Sequence, residues 1–377
     1  MPSQLFSPIH LGNLELSNRI IVAPMCQYSA KDGSMNDWHL MHLGQYAVSG
    51  AGLVIVEASG VEAQGRITPG CVGLYSDENE AAMARVIKFY REFGNAKIGI
   101  QLAHAGRKAS SDLPWLGGTS LAADDPRAWP TEAPSALPYA SDWHVPAALD
   151  EDGMARIKTA FADAALRAKR LGYDAIEVHA AHGYLLHQFL SPYSNKRDDA
   201  YGGDLAGRMK FPLEVFETVR AVFDNGTPVG IRVSATDWVE GSWDVDQTIA
   251  FVKELQTRGC DFVDVSSGGN APEQKIDAGP GYQTGFAADI RRATGMPTMA
   301  VGQITEPKQA ETIVVSGQAD MVALARGVLY DPRWPWHAAE ELRAQAAFPP
   351  QYQRAHPPLL GQPAPANPPA LKDIGGS

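Results

Sequence analysis

The chain has 377 residues, 45% of them apolar and 20% charged, an ordinary globular composition that excludes global disorder. Lys+Arg number 32 against Asp+Glu 43, and the formal net charge of −11 argues against a general affinity for nucleic acid or an anionic membrane. The three cysteines, Cys26, Cys71 and Cys260, are scattered and form no CxxC, which speaks against a disulfide framework, an iron–sulfur cluster or a cysteine zinc site.

A short β-branched run followed by a polar loop and a helical stretch recurs along the chain. Residues 19–23 read as the first strand, and Asp37 is expected to cap a helix running through Tyr46. Residues 52–57 form the second strand, with Asp77 expected to cap a helix over 78–93. Residues 97–102 are the third. An irregular stretch over 104–150, rich in Pro and Trp, then precedes a helix opened by Asp150, with Ile157, Phe161, Ala164 and Ala168 on one face. Strands four to seven fall at 175–178, 229–233, 262–266 and 298–301, with helices at 205–223, 245–258, 286–294 and 306–316. The eighth strand is 321–324, with helical sequence to Ala347.

Eight near-continuous apolar strands alternating with amphipathic helices predict a single (β/α)8 TIM barrel. A doubly wound open sheet is the alternative, but no GxGxxG follows a strand and no Walker-type loop exists. The barrel is expected over 1–348, with a long loop insertion after strand three. The insertion reads equally as a lid or as a cover for one barrel end. Residues 349–377 hold eight of the 27 prolines. They are expected to form a Pro-rich C-terminal segment that docks to about residue 356 and is extended or disordered beyond Pro357. The N-terminal residues have no leader pattern, and the apolar run 53–56 is far too short for a membrane span, so a cytoplasmic protein is expected.

Barrel chemistry sits at the C-terminal strand ends. Those ends carry Cys26 and Tyr28, Gln101 and His104, His179, His182 and Tyr184, then Arg232, Gly302 and Arg326. The glycines and Arg326 after strands seven and eight suggest a phosphate cup. His179 and His182 invite a zinc reading, which needs at least one more ligand; His104 is available, yet no carboxylate is obviously paired with it. Alternatively, both imidazoles donate hydrogen bonds to one substrate oxygen, and Tyr184 serves as a proton donor. Cys26 reads as a small core residue or, less directly, as a nucleophile.

Residues 23–28 (APMCQY), 101–108 (QLAHAGRK), 179–185 (HAAHGYL), 194–197 (SNKR) and 201–203 (YGG) resemble the Old Yellow Enzyme family, in its thermophilic-like subgroup of NADPH dehydrogenases and xenobiotic reductases. The resemblance runs from about Leu5 to Arg354. It implies an FMN-dependent ene reductase on a TIM barrel, driven by NADPH or NADH. Ala23, Pro24, Met25, Cys26, Ala58 and Gln101 would contact the flavin ring, with Cys26 tuning it. Arg232 would stabilise the reduced flavin, and Gly302, Ala325 and Arg326 would hold the phosphate. Lys108 is placed at the flavin edge or the ribityl chain. His179 and His182 would grip the carbonyl or nitro oxygen of an activated alkene, and Tyr28 would close the pocket. Hydride would pass from flavin N5 to the β-carbon and a proton from Tyr184 to the α-carbon, with ping-pong kinetics. A homodimer or homotetramer is implied, with Arg354 entering a neighbour's site. Two other functions stand beside this one: a metal-dependent hydrolase using His179, His182 and His104, and a barrel that binds flavin without turnover.

Overall fold

The computed structural model describes residues 2–223 and 226–355. Its barrel strands are β1 (Ile20–Val22), β2 (Leu53–Gly60), β3 (Lys97–Ala103), β4 (Ala175–Ala180), β5 (Val229–Ser234), β6 (Val263–Ser266), β7 (Thr298–Ala300) and β8 (Met321–Leu324). Each pairs in parallel with the next, and β8 returns to β1 to close the ring. The expected eight-stranded barrel is therefore present. The strands are buried on both faces, which is why they read as apolar runs and not as alternating patterns.

The helices between them are α1 (Asp37–Ala47), α2 (Asp77–Phe93), α3 (Glu151–Leu171), α4 (Leu185–Leu190), α5 (Leu205–Val222), α6 (Val245–Thr257), α7 (Thr284–Thr294), α8 (Pro307–Val315), α9 (Arg326–Tyr330) and α10 (Trp334–Glu341). On α3, Ile157, Phe161, Ala164 and Ala168 are all fully buried, one stripe at helical spacing, and Asp150 caps it by accepting from the Gly153 N–H at 2.8 Å. Two expected caps lie one residue too late. Asn36, not Asp37, accepts from Trp38 N, and Ser76, not Asp77, accepts from Asn79 N. The short side chain just before the helix reaches those N–H groups, while the acid one step on sits in the first turn, where it complements the helix dipole. The helical sequence expected to Ala347 forms two short helices, α9 and α10, and ends at Glu341. Asp331 precedes Pro332 and takes an extended conformation, and Arg343 turns left-handed (φ 54°) beyond Glu341.

Inside the barrel the inward positions change character along each strand. The lower lumen is apolar: Ile21, Leu53, Ala175, Phe262, Met299 and Met321 form one buried cluster with Leu11 and Leu16 of an N-terminal hairpin. Two residues further along β4 stands Glu177, then His179; after Phe262 come Asp264 and Ser266; β5 carries Arg232 and Ser234. The period of two along a strand thus places a polar layer above an apolar floor. A larger apolar cluster joins the outer strand faces to the helices.

The insertion supplies the short turn Gly106–Lys108, a 3-10 turn Pro114–Leu116, and a two-stranded pair, Glu132–Ala133 with Ala147–Ala148. Trp129 fastens it by donating from Nε1 to the Gln64 carbonyl (2.9 Å). At the other end, Arg333 stacks on both Trp336 and Tyr352 (4.4 and 4.9 Å to the ring centroids), which seats the chain through Tyr352 on α10. The tail expected beyond Pro357 lies outside the described residues. Among the described residues no helix is long and apolar enough to cross a membrane.

Candidate active site

The site is built around the turn that follows β4. His182 and Gly183 both occupy the left-handed region (φ 58° and 71°), a conformation uncommon outside glycine and stored at a cost where it occurs. A Cβ on Gly183 would lie 2.2 Å from the Gly269 carbonyl, so only glycine fits there. The turn brings His179, His182 and Tyr184 together. The two imidazoles meet edge to face at 5.3 Å between centroids, and His179 meets the Tyr184 ring at 5.0 Å. Burial and the nearby Arg232 hold both imidazoles well below the usual histidine range, so both are neutral. His179 Nδ1 accepts from the Ala181 N–H (3.2 Å), which leaves the proton on Nε2 as a free donor. His182 Nε2 lies 2.7 Å from Ser266 Oγ. The Tyr184 phenol is pushed well above its ordinary range by burial and stays protonated.

Beneath this group lies a buried ionic layer. Arg232 Nε stands 3.1 Å from Asp264 Oδ2, close enough for charge attraction but without hydrogen-bond alignment. Gln101 Nε2 donates to Glu177 Oε1 (2.7 Å). Burial, then the Asp264 carboxylate, pushes the Glu177 carboxyl from 4.5 up to about 8. The folded chain therefore binds a proton that the unfolded chain releases, so this group's contribution to stability is lost as pH rises from about 4.5 to about 8. Glu177→Gln is expected to flatten that slope in denaturant titrations at stepped pH. Parallel profiles for the two proteins would remove Glu177 as its source.

A cavity of about 470 Å³ opens over the ends of β1 and β5–β8, lined by Ala23, Arg232, Gly302, Ala325 and Arg326 among others. These are five of the ten residues expected from the sequence to contact the flavin. Gly302 (φ 119°) keeps the wall close, since a Cβ there would press on Gln283 at 3.1 Å. Pro24, Met25 and Cys26 continue the chain from Ala23; Ala58 is buried in β2. The neighbouring Cys71 thiol and desolvation hold the Cys26 thiol well above the usual range. Cys71 Sγ accepts from the Thr68 N–H (3.4 Å), so Cys26 keeps its proton and is no activated nucleophile. Tyr28 meets Trp115 of the insertion edge to face at 5.9 Å. Arg354 is exposed on the C-terminal segment.

The histidine zinc reading is not supported by the donor geometry. His104 does have a carboxylate partner: its Nε2 lies 2.8 Å from Glu62 Oε1, while its Nδ1 accepts from Gly106 N (3.1 Å). Among the described residues the one group with metal-ligand spacing is Glu62, His104 and Glu132, without His179 or His182. There the Arg156 guanidinium already bridges the two carboxylates. The residues that sequence reasoning passed over are Glu62, Cys71, Glu177, Asp264 and Ser266. Glu177 and Asp264 had a legible signal: each is an acid in the middle of an apolar strand.

Residues 4–345 match the NADH:flavin oxidoreductase / NADH oxidase family. The chain belongs to that family and is an FMN-dependent NADH/NADPH oxidoreductase of the Old Yellow Enzyme type. It is similar to an NADPH dehydrogenase of Geobacillus thermodenitrificans (strain NG80-2), 43% identical over 356 residues, which cover 94% of this chain and 99% of that one. Morphinone reductase superposes with a TM-score of 0.75 at 29% identity, over 92% of this chain and 91% of that one. The old yellow enzyme homologue from Zymomonas mobilis gives 0.73 at 25%, over 92% and 94%. The residues present fit FMN. Arg232 has a buried, unaligned Nε beside the cavity, Gly302 leaves a close backbone wall, and Arg326 is a cation that no carboxylate pairs among the described residues.

Proposed function

We propose that the chain is an ene reductase that reduces the C=C bond of α,β-unsaturated carbonyl or nitro compounds with NADPH or NADH. The observation that carries this reading is the convergence of two neutral imidazoles and one protonated phenol, His179, His182 and Tyr184, above the buried Arg232. When bound, FMN supplies the two-electron carriage between nicotinamide and alkene. Arg232 would favour its electron-rich form, Ala23, Pro24, Met25, Cys26, Ala58 and Gln101 would line its ring, and Gly302, Ala325 and Arg326 would hold its phosphate. His179 donates from Nε2 to the substrate oxygen, and His182 adds a second contact to the same oxygen. Together they draw electron density from the β-carbon. An alkene without such an oxygen gives them nothing to hold and is a poor substrate. Tyr184 gives its proton to the α-carbon. Tyr28, braced by Trp115, closes the pocket. Nicotinamide and alkene use one site in turn, which makes the kinetics ping-pong.

The visible spectrum of the purified protein tests the reading. Flavin absorption that bleaches anaerobically with NADPH and returns on adding 2-cyclohexenone is the expected result. A protein that is colourless and takes up no FMN would overturn it. Arg354 is assigned to a neighbouring subunit's pocket in a homodimer or homotetramer, because its segment is seated by Tyr352 on α10 while Arg354 itself is exposed. Arg354→Ala is expected to raise the KM for the enone several-fold at unchanged FMN content. Unchanged KM and kcat would make Arg354 an ordinary surface residue.

A further inference from the structure

We propose that Lys108 is a positioning residue, tying the strained 182–184 turn to the end of β6 and holding the Tyr184 ring in its proton-donating place. The proposal rests on the ene-reductase reading above. Lys108 ends the short turn after β3, at the start of the insertion. Its Nζ donates to the His182 carbonyl (2.9 Å) and to the Gly269 carbonyl (2.8 Å). The same ammonium lies 5.1 Å from the Tyr184 ring centroid and 4.7 Å from that of Tyr139.

Among the described residues no carboxylate pairs with this lysine. Lys108 is half-buried, and a partly desolvated ammonium without a counter-ion is unfavourable, whereas an apolar side chain would fill the same space without that cost. The charge therefore has a local use, and the turn supplies it. The turn's other backbone groups are already pinned by side chains. The His182 N–H donates to Ser234 Oγ (2.9 Å), the Gly183 N–H to His187 Nδ1 (2.9 Å), and Gln188 Nε2 donates to the Gly183 carbonyl (2.7 Å). The His182 carbonyl is the group that falls to Lys108. His182 has a second anchor in Ser266, whereas the Tyr184 ring is bounded by Lys108 and His179. Loss of Lys108 should therefore disturb the proton donor more than the oxygen-binding histidine.

This difference separates the two half-reactions, because the proton is needed only when the alkene is reduced. The groups facing Lys108 are Arg107 beside it, the phenols of Tyr139 and Tyr184, and the neutral His179 and His182. Burial and then Arg107 lower its ammonium to about 7, so the charged tether is present below neutrality and fades above it.

Stopped-flow absorbance on the FMN-loaded protein tests the proposal. Lys108→Met is expected to slow reoxidation by 2-cyclohexenone about 10–100-fold, the scale of a misplaced catalytic group, while reduction by NADPH changes only a few-fold. Lys108→Arg, which keeps the donors and the charge, should recover most of the loss. The wild-type reoxidation rate should fall as pH rises through about 7, and the Met variant should be flat there. A Met variant that matches the wild type, or that slows both half-reactions equally, overturns the proposal. If that variant does not fold, Lys108→Gln keeps donors without the charge. It should give an intermediate rate with no step near neutrality, and a wild-type pH profile from it would equally overturn the proposal. A wild-type protein that NADPH reduces but no enone reoxidises would refute the ene-reductase reading itself, and Lys108 with it. An active wild type with an insensitive Lys108 refutes only the latter.

Discussion

Tyr184→Phe is expected to slow enone-driven reoxidation by about 10²–10⁴-fold, the usual worth of a positioned general acid. Reduction by NADPH should stay within a few-fold of wild type, because that half-reaction consumes no phenolic proton. The argument starts from the environment. Burial holds the phenol protonated, and the edge contact with His179 places it beside the group proposed to grip the substrate oxygen. Phenylalanine keeps the ring, the contact and the cation–π partner, so only the proton is removed. Stopped-flow rates for the two half-reactions, with the alkene step repeated in heavy water, give the readout. If alkene-driven reoxidation survives the substitution, solvent supplies the proton and Tyr184 is only a wall of the pocket.

Arg232→Leu is expected to destabilise the FMN-free chain by about 3–5 kcal/mol, the scale for breaking one side of a buried ion pair. Asp264 is fully buried and Arg232 nearly so, and Glu177 adds a second buried carboxyl in the same layer. Removing the cation leaves the Asp264 carboxylate uncompensated beside the protonated Glu177 carboxyl, whereas Arg232→Leu combined with Asp264→Asn should recover part of the loss. The same substitution should weaken FMN binding, since Arg232 lines the cavity. Chemical denaturation of the single and double variants, with FMN titration alongside, separates the two effects. An unchanged denaturation midpoint in the single variant would mean that Asp264 is protonated as well as Glu177 and that the layer is not held by charge.

The strands were legible because parallel barrel strands are buried on both faces. Residues such as Val54, Ile98 and Ile231 have no polar alternation to obscure them. The strand ends followed from that frame, and with them Arg232, Gly302, Ala325 and Arg326, which do share a cavity. Two helix caps were misread by one residue because asparagine or serine and the following aspartate are both good N-terminal signals. What stayed hidden were partners distant in sequence: Glu62 against His104, Cys71 against Cys26, Lys108 against the 182–184 turn. No periodicity links such residues, and only the closing of the ring brings them together.

The apolar floor of the barrel also governs traffic. Ile21, Leu53, Phe262, Met299 and Met321 are completely buried, and the N-terminal hairpin adds Leu11 and Leu16 to them. Among the described residues this floor fills the lower lumen, so the cavity lies at the opposite end of the ring. Under the proposed function nicotinamide and alkene would both arrive from that end, and the order of their exchange would belong to the architecture of the ring as much as to the affinity of any one side chain.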